Sequence, residues 1–160
     1  MRKKSTIKNY TSSVPAERSI ARIEELIAEF GATDVSKQYD AGLCVRMEFA
    51  IIDPDSSTPL SIVLDANEGA VYSALRGKGF QTDRQLKAAR EQSRRTAWKN
   101  MLELLQIQLT MLNLKQRTVL QSFLSDTVDT KTGKPIHQII AATRRLLPSP
   151  AADPDIVEAT

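Results

Sequence analysis

Eight basic side chains, Arg76, Lys78, Arg84, Lys87, Arg90, Arg94, Arg95 and Lys99, crowd into one stretch of this chain, with only Asp83 and Glu91 to offset them. Cations recurring at three- and four-residue spacing gather on one face of a helix, and the chemistry such a face performs is to hold an anion. At 100° per residue, with Arg84 as zero, Arg84, Lys87, Arg90, Arg94, Arg95 and Lys99 fill an arc from roughly 240° through 0° to 60°. Beyond Trp98 the apolar arc widens to take in Met101, Leu102, Leu105, Leu109 and Leu112, so the helix must pass from surface to core near Trp98. Trp98 itself has two readings. It is a stacking platform for a base inside a basic groove, worth about 1–3 kcal/mol per base, or a core anchor with arginine stems packed over its ring. The anion-binding candidates are therefore Arg84, Lys87, Arg90, Arg94, Arg95, Trp98 and Lys99, joined by Lys78 in Gly77-Lys78-Gly79, a turn whose backbone donors could face a phosphate but which lacks P-loop spacing. Lys131-Thr132-Gly133-Lys134 is a less specific version of the same signal and reads as a loop tip.

Residues suited to bond-breaking are scarce. His137 is the single histidine and stands among isoleucines, which suits a structural role better than a general base. Cys44 is the single cysteine, so no intrachain disulfide forms, and one Cys with one His does not supply a zinc site. Asp53 and Asp55 flank Pro54, and either they or Asp40 with Asp65 could hold a hard cation, although turn chemistry accounts for the first pair alone. No metal, cofactor or catalytic residue is assigned.

Elements must position that basic face. A chain of 160 residues with 41% hydrophobic content can bury one core without cross-links. Residues 1–13 read as a flexible basic tail, residues 14–147 as the domain and residues 148–160 as a disordered acidic tail. Ile20, Ile23, Ile27 and Phe30 recur at helical spacing behind Pro15, with Gly31 as the stop. From Val35 the period becomes two. Leu43, Val45, Met47, Phe49 and Ile51 are expected to form the apolar face of a hairpin turned at Asp40-Ala41-Gly42, and Leu60, Ile62 and Leu64 form a third strand. A short helix from Asn67, a long one from about 82 to 112 capped by Thr82, another over 114–124 and a last one from Ile136 complete the order. The expected fold is α+β: a small three-stranded antiparallel sheet packed against helices, one of them long and in the C-terminal half. Open sheet edges or the long helix would support a homodimer. No apolar run approaches a membrane span, and the expectation is a cytoplasmic protein without membrane partners.

Several strings resemble a family of small uncharacterised proteins of bacteriophages and prophages: Ile7-Lys8-Asn9-Tyr10-Thr11, Glu29-Phe30-Gly31-Ala32, Gln92 to Lys99 with Arg95-Thr96-Ala97-Trp98, and Leu124 to Leu147 closing on Leu146-Leu147-Pro148. The resemblance implies a bacterial host cytoplasm and a role in phage DNA metabolism or in countering host defence, and carries over no catalytic residue. Three functions are thus weighed. The first is a non-enzymatic accessory protein binding DNA or another nucleic acid through the basic helix. The second is a counter-defence or interaction protein sequestering a host protein or a small nucleotide signal. The third is an enzyme, a metal-dependent nuclease using Asp40, Asp53, Asp55 or Asp65.

Overall fold

The computed structural model describes residues 7–76 and 82–143. Its elements run α1 (Ala16–Glu29), β1 (Asp34–Asp40), β2 (Leu43–Ile52), β3 (Pro59–Asp65), α2 (Glu68–Arg76), α3 (Asp83–Asn113), α4 (Val119–Phe123), a 3-10 turn at Leu124–Asp126, and α5 (Ile136–Thr143). This is the α+β order expected. The expected basic turn Gly77-Lys78-Gly79, residues 1–6 of the expected N-terminal tail, the part of the expected last helix beyond Thr143 and the expected acidic tail lie outside the described residues.

Local chemistry sets the boundaries. Helix α1 stops at Gly31, whose φ of +101° lets its N–H reach the Ala28 carbonyl while the Ala32 N–H reaches that of Ile27, the paired bonds that close a helix with a left-handed residue. Thr82 and Gln85 form a capping box at the start of α3, and Thr118 with Gln121 repeats it at α4. Ala41 and Gly42 both take positive φ, the two-residue turn that matches the twist of β1 and β2.

The sheet has the order β1-β2-β3, antiparallel throughout. Met47, Phe49, Ile51, Ile62 and Leu64 point into the core, where they meet Ile20, Ile23 and Ile27 of α1 and Trp98, Leu102, Leu105 and Leu109 of α3. Phe123 of α4 closes this layer, its ring edge-on to Phe49 at 6.1 Å. One expectation fails at the start of β2. Gln38 pairs with Arg46 but Tyr39 pairs with Cys44, so Val45 is an extra residue and the strand changes phase. Cys44 therefore turns inward and is buried, while Leu43, expected on the apolar face, is 47% exposed.

A second expectation changes in the N-terminal segment. Residues 8–12 lie as a strap along α3: Lys8 pairs with Glu103 at 2.6 Å, the Asn9 amide donates to Asn100 Oδ1, the Thr96 hydroxyl donates to the Asn9 carbonyl, and the Gln92 amide donates to the Ser12 carbonyl. This half of the expected flexible tail is tied down by hydrogen bonds to one helix. The outer edge of β3 is also covered, because the Val128 N–H donates to the Ser61 carbonyl and Thr127 bridges to Ile62. Strand β1 is left as the edge, and its exposed side chains mix the polar Asp34, Ser36, Gln38 and Asp40 with the apolar Val35 and Tyr39.

Candidate functional site

Helix α2 runs antiparallel to the first half of α3. Glu68, at its start, receives hydrogen bonds from Arg94 and from Trp98 Nε1, and Tyr72, one turn later, meets Arg90, one turn earlier in α3. This register divides the basic stretch into three environments.

The first is internal. Arg94 was expected on the anion-binding arc, but it is 8% exposed and each of its three nitrogens donates to a group of the same chain. Nε and Nη2 donate to Glu17, while Nη1 donates to the Cys44 carbonyl at 2.7 Å and to Glu68. The guanidinium fork joins α1, β2, α2 and α3 at one point, a task for which its planar donors suit it better than an ammonium. Trp98, the expected stacking platform, is 0% exposed, so no ring face remains for a base and the core-anchor reading holds. Its indole N–H is satisfied by Glu68 at 2.8 Å, as a buried tryptophan requires.

The second environment is half-buried. Arg95 and Lys99 lie near acids of the same chain: the charge of Arg95 reaches Glu17 and that of Lys99 reaches Glu103. The Glu17 carboxyl is held below its ordinary 4.5, first by its own backbone N–H at the start of α1 and then by Arg94 and Arg95 against some opposing burial. Lys8 does the same for Glu103. Because these folded-state pKa values are depressed, the pairs contribute fully above the ordinary carboxyl range, and that contribution is lost as pH falls through the lower folded values. Thermal unfolding followed downward from about pH 6 should therefore show Tm dropping below about pH 4.5, and Glu17→Gln should flatten part of that drop. Glu17 is mostly exposed, so the effect is modest.

The third environment is open. Arg84, Lys87 and Arg90 are exposed, and among the described residues none of them forms an ion pair. The Arg90 and Arg76 guanidiniums approach the same ring, 5.8 and 5.9 Å from the centroid of Tyr72. Each gains from the π system of this half-buried phenol. Tyr72 was not among the sequence candidates, since nothing in its local spacing marks it and its role comes from the α2–α3 register. The surface so built, Arg76, Tyr72, Arg90, Lys87 and Arg84, can hold an extended anion on an exposed helical face.

The other candidates stand apart. Cys44 is buried, and burial pushes its thiol pKa up, away from nucleophilic character. His137 is exposed on α5, with Nδ1 2.7 Å from the Ser125 carbonyl. Asp53 Oδ2 accepts from the Ser56 hydroxyl at 2.6 Å, its backbone carbonyl accepts from the Ser57 N–H and its own N–H donates to the Thr58 carbonyl, the turn chemistry expected of it. Among the described residues no three His, Cys, Asp or Glu side chains gather as a metal group would, and no helix is long and apolar enough to cross a membrane.

Fold and site together define an α+β domain that carries an open basic surface on an antiparallel helix pair. Compared with family models, curated proteins and solved structures, the chain matches none.

Proposed function

We propose that this chain is a non-enzymatic accessory protein of a phage or mobile element that binds nucleic acid through the α2–α3 basic surface. The observation that carries the reading is that Arg84, Lys87 and Arg90 of α3 are exposed and form no ion pair among the described residues, with Arg76 of α2 brought to the same surface through Tyr72, a set of unneutralised cations to which phosphate oxygens can bind. Arg84 and Lys87 extend the cations along α3, and their exposure suits a polymer backbone better than an enclosed mononucleotide. The phage setting rests on the resemblance of the strings named above. Arg94 and Trp98 belong to the scaffold that holds this surface and leave the list of contacts.

The test is a binding titration of single- and double-stranded DNA at several salt concentrations. With about four phosphates neutralised, the logarithm of affinity should fall with the logarithm of salt at a slope of roughly −3. Binding of a mononucleotide with little salt dependence, or no binding of either polymer at low salt, would turn the assignment to the sequestering alternative.

A further inference from the structure

Beyond Ile62 a cavity opens between the end of β3, the middle of α3 and the segment that carries α5. Its frame is tied by backbone. The Val128 N–H donates to the Ser61 carbonyl and Thr127 bridges to Ile62, while the Ile136 N–H on the Thr127 carbonyl and His137 Nδ1, 2.7 Å from the Ser125 carbonyl, hold α5 against the 3-10 turn. The enclosed volume is about 560 Å³, within the range of small-molecule sites. Leu64, Met101, Leu104 and Pro135 give it an apolar wall.

The polar side chains of the lining keep bonding capacity that the described residues leave unused. Arg46 of β2 is half-buried and forms no ion pair among the described residues, although Asp65 stands opposite it in the β2–β3 register. One oxygen of Asp65 accepts from the Asn67 N–H. One oxygen of Asp126 accepts from the Ser125 hydroxyl at 3.2 Å, and the other lies 3.9 Å from His137 Nδ1, beyond hydrogen-bond reach. The Gln108 amide donates to the Ser122 carbonyl at 2.8 Å, which orients the side chain and leaves its oxygen as an acceptor.

We propose that this cavity binds a small zwitterion, an α-amino acid with an apolar side chain. The signs of the lining decide the class. A simple anion would meet the two carboxylates and a simple cation would meet Arg46, whereas a molecule with both charges places its carboxylate on the guanidinium fork and its ammonium among the carboxylates and the amide oxygen. Its side chain then lies against Leu64, Met101 and Leu104, out of water. Arg76, Tyr72, Arg84, Lys87 and Arg90 do not line the cavity, so the site stands independently of the nucleic-acid reading.

The chain's single histidine lines this cavity, so the imidazole resonances of His137 report occupancy without assignment of the rest. The full chain is titrated by NMR with L-leucine, L-methionine and L-phenylalanine, each to roughly 10 mM, a tenfold excess over a Kd of about 1 mM. At least one should shift the ring signals to saturation, and its N-acetyl and carboxamide derivatives, which lack one charge each, should bind at least about tenfold more weakly. Arg46→Gln, with an unchanged circular dichroism spectrum, should lose affinity for the amino acid to a similar extent while responding equally to the amino acid and its carboxamide. Ring signals that none of the three amino acids moves overturn the proposal. So do derivatives that bind as well as the parent amino acid, or an Arg46→Gln chain that binds it undiminished.

Discussion

Arg94→Ala is expected to lower the unfolding free energy by about 3 kcal/mol, the lower end of what removing one partner of a buried ion pair does. Two groups determine that figure. Glu17 is mostly exposed and turns back to water, whereas Glu68 is only 27% exposed and keeps just the Trp98 indole N–H as a donor. The Cys44 carbonyl also loses its buried partner. Against a typical stability of about 5–15 kcal/mol, the variant lies near the limit of a stable fold. Urea denaturation should show a lower midpoint with an unchanged slope. Arg94→Lys should fall between, because an ammonium cannot serve Glu17, Glu68 and the carbonyl in one plane. A variant within about 0.5 kcal/mol of wild type, the range of ordinary surface changes, would contradict the assignment of Arg94 to the scaffold.

Lys87→Glu combined with Arg90→Glu is expected to have the opposite signature. Both positions are exposed, so stability changes little, apart from a small loss of the Arg90 contact with Tyr72. Binding to DNA should fall roughly a hundredfold at low salt, taking about 1.4 kcal/mol for each reversed contact, and the salt slope should shrink by about 2. Affinity measured by fluorescence anisotropy, beside the denaturation midpoint of the same protein, checks both halves. Unchanged affinity would remove the basic surface from function. The two variants separate roles that share one run of sequence: Arg94 holds the elements together, and Lys87 and Arg90 face outward.

Much of this architecture is legible in the sequence because it is local. Thr82 followed by Gln85 marks the start of α3, Gly31 marks the end of α1, and the alternation of Met47, Phe49 and Ile51 places their strand on the core. Long-range chemistry is where the reading departs from the structure. Arg94 belongs to the basic arc by azimuth, but its partners Glu17 and Glu68 stand 77 and 26 residues away, beyond any spacing rule. A weaker signal does exist: Trp98 and Leu102 follow Arg94 at intervals of four, so it continues the buried stripe toward the N-terminus. The bulge at Val45 has no comparable cue, because a single extra residue is set by pairing with β1 and not by the strand's own composition. Tyr72 likewise becomes part of the candidate surface only through the contact of α2 with α3.

The most direct test of the binding surface is an NMR titration of the full chain with a short single-stranded oligonucleotide, observing the arginine Nε–Hε and tyrosine ring resonances. The Nε–Hε signals of Arg76, Arg84 and Arg90 and the ring of Tyr72 should shift together and saturate, while the buried Arg94 signal holds its position. Shifts confined to other surfaces, or an oligonucleotide that leaves Arg76, Arg84 and Arg90 unmoved, would contradict a nucleic-acid interface on α2 and α3.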